Sequence, residues 1–189
     1  MELKTIKSQI NPHFIFNALN SIRALVDENP TRARQAITEL SNILRSSIQA
    51  DKVEITTLEK ELTIVKDYLA LEYIRFEDRL QVIYEVEAGS LQNKVPPMML
   101  QTLVENAIKH GLSKQPGVCQ IKIISKFEND NHVLMVQNTG ILEKVGKDGF
   151  GLQSTRERLN ILYKGLAAFE IYQDTPNQVT AKLKIPIAA

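Results

Sequence analysis

The first 77 residues contain no glycine, and their apolar positions recur every three or four residues; from Leu80 onward the spacing falls to two. A stretch of helical periodicity this long needs another surface to bury its stripes, and an alternating stretch needs a sheet. Leu3, Ile6 and Ile10 start one stripe, which Ile15, Leu19, Ile22 and Val26 continue beyond Pro12. Pro12 lacks the amide that would bond to the Ser8 carbonyl, so a kink or restart is predicted there, with Asn11 as the cap. Asn29-Pro30-Thr31 closes that helix and opens another, with Ala33, Ile37, Leu40 and Leu44 on one face. A third helix is predicted over 57–76, with Leu58, Leu62, Val65, Leu69, Tyr73 and Phe76 as its stripe.

Leu80, Val82, Tyr84 and Val86 then alternate as a half-buried strand does. Pro96-Pro97 opens a helix that Gly111 ends. Strands are predicted over 120–127 and 132–137, parted by the turn Asn129-Asp130-Asn131, then a helix over 151–163 and strands near 169–172 and 179–185. In the last strand Val179, Ala181, Leu183 and Ile185 face the core, and Thr180, Lys182 and Lys184 face water. The fold class is α+β: a helical region over 1–77, then, over 78–189, helices on one face of a mostly antiparallel sheet.

A chain of 189 residues with 43% hydrophobic content can bury one large core, or a small domain with a helical annex. Its net charge of +1 argues against nucleic acid as a direct partner. The single Cys119 excludes an internal disulfide framework and reads as a buried, inert thiol in a reducing compartment. No apolar run approaches the length of a membrane span, and the start lacks the apolar centre of a signal peptide, so a soluble chain without direct membrane contact is expected.

Three polar segments follow one another in the second part of the chain. In Val104-Glu105-Asn106-Ala107-Ile108-Lys109-His110-Gly111, the positions Leu100, Leu103, Val104, Ala107 and Ile108 make the core stripe, and Asn106, Lys109 and His110 lie opposite. An amide oxygen at Asn106 suits Mg²⁺ held against nucleotide phosphates, and Lys109 offsets their charge. Asn138-Thr139-Gly140 ends a strand, where Asn138 can meet a base edge and Gly140 gives the backbone room; an ordinary turn has the same composition. Gly149-Phe150-Gly151-Leu152 precedes a helix whose first amides are free for a phosphate. Near the N-terminus, His13, Asn17 and Asn20 share a polar helical face, which leaves the imidazole accessible, and Asn17 sits one turn on, where it can fix the ring tautomer.

Together with Gln9-Ile10-Asn11-Pro12-His13-Phe14-Ile15-Phe16-Asn17-Ala18-Leu19-Asn20, Arg75-Phe76-Glu77-Asp78-Arg79-Leu80 and Pro96-Pro97-Met98-Met99-Leu100, these segments resemble the cytoplasmic catalytic region of LytS-like sensor histidine kinases. The ATP-binding domain of that family is of the GHKL, or Bergerat, class shared with gyrase and MutL. The resemblance covers nearly the whole chain. It implies a helical dimerisation and phosphoacceptor region beside a two-layer α/β sandwich, with ATP and Mg²⁺ as cofactors. It makes His13 the autophosphorylated residue, with Glu105 and Asn17 as the other catalytic residues, places Glu105, Asn106 and Lys109 in the N box with His110 beside them at the cofactor, Asn138 and Gly140 in the first glycine box, and Gly149 and Gly151, with Phe150 and Leu152, in the second.

The implied reaction is autophosphorylation of His13 by ATP, followed by transfer to an aspartate of a response regulator, by a homodimer joined through the N-terminal helices. The implied location is the cytoplasmic side of the cell membrane, with an anchor in upstream segments. Two departures stand out. Asn138 occupies the place of a customary Asp, which removes charge assistance toward an adenine amino group, at a cost of roughly 1 kcal/mol. The segment from Gly140 to Gly149 is short for an ATP lid, although Lys144 and Lys147 lie within it. The alternatives are therefore a degenerate, ATP-poor scaffold or dimerisation module, and a GHKL kinase acting on serine, against which His13 in its motif argues.

Overall fold

The computed structural model describes residues 11–50, 52–112, 116–142 and 150–187. The opening stripe positions Leu3, Ile6 and Ile10 lie outside them, as do Gly149, Lys144 and Lys147. Helix α1 spans Pro12–Glu28, α2 Pro30–Ala50, α3 Leu58–Phe76, α4 Met99–His110 and α5 Phe150–Tyr163. Strands are β1 (Thr56–Thr57), β2 (Leu80–Val86), β3 (Lys94–Val95), β4 (Cys119–Glu128), β5 (Asn131–Thr139), β6 (Ala168–Thr175) and β7 (Gln178–Pro186).

One device starts both N-terminal helices. Asn11 Oδ1 accepts from the His13 amide at 3.1 Å with Pro12 at the first helical position, and Asn29 Oδ1 accepts from the Arg32 amide at 3.1 Å with Pro30 behind it. In each case the Asn satisfies a free amide, and the Pro gives up one that would go unbonded. Thr57 caps α3 through the Lys60 amide at 3.4 Å.

The buried face of α1 is Phe14, Ala18 and Ile22, not the expected Ile15, Leu19, Ile22 and Val26: Leu19 and Val26 are about half exposed, at 49% and 51%. On α2, Ala33, Ala36, Leu40 and Ile43 face inward while Ile37 is 51% exposed. On α3, Tyr73 is likewise half exposed. Both α1 and α2 carry apolar residues on more than one face, and small alanines at Ala18, Ala33 and Ala36 let the helices approach along the inner one. Of the predicted stripe positions, Ile22 and Leu40 are thus spent in the chain's own core, and Leu19 and Ile37 remain on the surface.

The main sheet is mixed, in the order β2-β4-β5-β7-β6. β2 runs parallel to β4 through the α4 crossover, and the other pairings are antiparallel. Asn129 and Asp130 turn β4 into β5 with φ of +45° and +59°, the left-handed pair of a tight hairpin. Ile121, Ile123, Leu134, Val136, Ala181 and Leu183 form the helix-facing side of the sheet. Thr180, expected on the wet face, is fully buried; its hydroxyl donates to Asp174 and accepts from Gln137, both at 3.2 Å. The core runs without interruption from Phe14 to Ile185, and rings of Phe14 and Tyr68 pack 4.7 Å apart between α1 and α3.

Candidate functional site

His13 lies in the first turn of α1 and is exposed. The Asn17 amide nitrogen donates to His13 Nδ1 at 3.1 Å, so the predicted neighbour does hold the ring. The same nitrogen lies 3.5 Å from His13 Nε2, so Asn17 sits against the edge of the imidazole that carries both ring nitrogens. The positive end of the α1 dipole favours negative charge arriving at this turn.

The other candidate residues lie at the far end of α4 and around it. Asn106 and His110 are half-buried and Lys109 is exposed, on the face away from Leu103, Val104 and Ala107. Gly111 ends the helix, its amide donating to Ala107 O at 2.8 Å. A Cβ at Gly111 would lie 2.6 Å from Cys119 Sγ, 2.8 Å from Ala107 O and 3.0 Å from Thr139 O, so only glycine lets α4 meet β4 and β5 here. Gly140 has φ +154°, and a Cβ there would come within 3.1 Å of Asn138 Nδ2 and 3.6 Å of His110 O. The end of the predicted N box and the first glycine segment, far apart in sequence, therefore touch.

Asn138 is buried at the edge of the helix-facing side of the sheet, its amide nitrogen donating to Thr139 O at 3.0 Å. That bond fixes the nitrogen and makes Oδ1 the end available as acceptor. Gln173 of β6 braces the segment by donating to Gly140 O at 3.2 Å. Cys119 is buried, and burial pushes its thiol up to about 11, so it is inert as read from sequence. Phe150 and Gly151 open α5, and Leu152 packs into the core.

Glu105 stands apart from the other site residues. Gln101 Nε2 donates to its carboxylate at 2.8 Å, and burial pushes it up to about 6, opposed by that hydrogen bond and reinforced by Glu72 of α3. Glu72 itself is raised by burial, with Arg75 and Tyr68 pulling the other way. Phe14, Tyr68, Glu72 and Glu105 thus form a line from the start of α1 to α4.

Sequence reading missed several residues. Glu61 of α3 accepts from the amides of Met98 and Leu100, and Arg158 of α5 donates to Pro97 O at 2.9 Å. A Glu beside the apolar stripe position Leu62 was the available signal. Also missed was a buried chain in which Ser90 donates to Glu87 O, Ser125 to Ser90, and His132 Nε2–H to Ser125, each at 2.7 Å. Ser90 has only one proton, and giving it to Glu87 O sets the direction of the rest.

Residues 1–80 match the family model described as histidine kinase. The chain is 33% identical to sensor protein LytS of Staphylococcus haemolyticus over 98% of its own length, and 37% identical to the sensor histidine kinase/phosphatase LytS of Staphylococcus aureus over 87%. It spans about a third of those relatives, 34% and 30% respectively. In fold it is similar to the catalytic domain of histidine kinase ThkA, with TM-score 0.56 at 19% identity over 71% of this chain and 97% of that one. It is also similar to Acinetobacter baumannii histidine kinase AdeS, with TM-score 0.55 at 14% identity over 93% of this chain and 96% of that one. Residues 1–80 are thus similar to the histidine kinase family, and most of the chain is similar to a third of the LytS sensor proteins.

Proposed function

We propose that this chain is the catalytic part of a two-component sensor kinase, in which a ring nitrogen of His13 attacks the γ-phosphorus of ATP, ADP departs, and the phosphoryl group passes to an aspartate of a response regulator. The observation that carries this reading is the meeting of His110–Gly111 with Asn138–Gly140, which builds a cradle of backbone and amide groups where the sequence puts two nucleotide-binding segments. A neutral imidazole needs alignment and charge neutralisation more than a base, and Asn17 supplies the first. Lys109 and the amides at the start of α5, with Gly149, Phe150 and Gly151, would neutralise phosphate charge. Asn138 Oδ1 would accept from the adenine amino group, and Gly140 would admit the ring's edge.

The Asn106 side-chain oxygen would hold Mg²⁺, which when bound would supply positive charge against the nucleotide phosphates. Glu105, next to Asn106, would hold that end of α4 against α3. In this reading residues 1–77 carry the phosphoacceptor and dimer seam and residues 78–189 the nucleotide, although one core joins them. Among the described residues no helix is long and apolar enough to cross a membrane; an anchor would lie in other segments of a longer protein, on whose cytoplasmic side this chain would work. Calorimetric titration with Mg-ATP tests the site. Measurable affinity, lost or made metal-independent by Asn106→Asp with the fold retained, is expected. No affinity up to millimolar nucleotide would remove the kinase reading and leave a scaffold.

A further inference from the structure

Helix α4 has no cap of its own. Its N-cap residue is Met98, at φ +63° and ψ 6°, with no side-chain hydrogen bond from its own segment. A non-glycine residue persists in that conformation only when its surroundings fix it, and the first amides of a buried helix need acceptors. Both needs are met from α3. Glu61 Oε1 accepts from the Met98 amide at 2.8 Å and Oε2 from the Leu100 amide at 3.1 Å, with the Glu61 residue 5% exposed. Arg158 of α5 holds the same segment from the other side through Pro97 O at 2.9 Å.

We propose that Glu61 is a positioning residue for phosphoryl transfer: from α3 it fixes the first turn of α4, and thereby the placement of Asn106 and Lys109 relative to the helices that carry His13. The proposal rests on the kinase reading above. Asn106 lies six residues beyond Leu100, about 9 Å along a straight helix, so a slip or tilt of the first turn reaches it undamped. Misplacement by ~1 Å is enough to cost phosphoryl transfer heavily while leaving binding in place. The node also includes the helix that begins at Phe150, so the elements bearing the proposed metal ligand and the glycine-flanked amides meet here on α3, the helix that packs against α1 through Tyr68 and Phe14.

Burial pushes the Glu61 carboxyl up to about 7, against the Met98, Leu100 and Gln101 amides and Arg158, which lower it. A cavity of 660 Å³ between α2 and α3 reaches it, and the charged groups facing that space are Arg45 of α2, Lys60 and Asp67 of α3, and Lys94 of β3. The grip on α4 therefore strengthens as the carboxyl ionises near neutral pH.

The test is autophosphorylation by the whole chain as a function of pH and Mg-ATP for wild type, Glu61→Gln, Glu61→Asp and, as a control in the same turn, Glu59→Gln. Glu61→Gln is expected to lower kcat at least about tenfold with KM for ATP within about threefold, and to lose the rising limb near neutral pH. Glu61→Asp recovers part of the rate, and Glu59→Gln matches wild type. A Glu61→Gln protein with wild-type kcat, a loss confined to KM, or a lower rate with an unchanged pH profile overturns the proposal. If Glu61→Gln does not fold, proton NMR of the wild type decides: the Met98 and Leu100 amides must titrate together near neutrality, and flat amides overturn it. A wild type that incorporates no phosphate overturns the kinase reading and this inference with it; an active wild type with an indifferent Glu61→Gln overturns this inference alone.

Discussion

At the scale of single residues, Asn138 shows how a position can be read from sequence while its constraint cannot. The type of partner it can meet followed from the segment, but the bond from Nδ2 to Thr139 O, which commits one end of the amide, is a property of the folded strand end. Asn138→Asp would place a charged acceptor toward adenine and lose the bond to Thr139 O. Mg-ATP affinity should hold or rise by up to about tenfold, while stability falls by about 1 kcal/mol. Calorimetry and thermal unfolding of the variant check both, and a large loss of affinity would mean that Asn138 acts as donor. His132 opens the strand predicted over 132–137. It is wholly buried, with Nε2 bonded to Ser125 and Nδ1 without a partner, and burial pushes its pKa down to about 4. The unfolded chain, with an ordinary imidazole near 6.5, binds the proton first. Stability owed to neutral His132 is therefore present above pH 6.5 and falls as pH drops toward 4. Denaturant melts of wild type and His132→Gln across that window should converge as pH falls.

At the scale of elements, the period of the apolar pattern was enough to place α2 through α5 and the long strands, and the Asn-Pro pairs located two helix starts. Which stripe faces inward was not legible. Helix α1 carries Phe14, Ala18 and Ile22 on one side and Phe16, Leu19 and Val26 on others, and sequence alone cannot say which side is covered by its own chain. Nor could it reveal that α4 takes its cap from α3, since Glu61 and Met98 are 37 residues apart. Gly111 was read as a helix end, but its backbone φ of −87° needs no glycine; the close approach of Cys119 and Thr139 does. Gly111→Ala should push the end of α4 off the sheet, with a stability loss of about 1–3 kcal/mol and weaker Mg-ATP binding. Urea unfolding and nucleotide titration read the two effects, and wild-type values for both would show that the junction is not tight.

For the whole molecule, the helical layer, the mixed sheet and the continuous core were foreseeable as a class, because period and turn chemistry agree along the chain. The joining of the two regions into one core was not, because it depends on α3 packing on α4. The surface left on α1 and α2 by Phe16, Leu19, Val26, Ile37 and Ile48 is more apolar than a solitary chain of this net charge requires. A dimer through these helices is therefore predicted, with Leu19 and Ile37 in the seam. Sedimentation at about 100 µM, well above the micromolar range of a modest interface, should show a dimer, and Leu19→Glu with Ile37→Glu should give a folded monomer.

The central claim, that His13 accepts phosphate from ATP, is tested most directly by incubating the chain with Mg²⁺ and γ-labelled ATP and following the label. The account predicts label on His13 in an acid-labile, base-stable bond, abolished by His13→Gln with Mg-ATP binding intact and unchanged by His132→Gln at neutral pH. Label that survives His13→Gln, or that resists acid as a phosphoserine does, would contradict it.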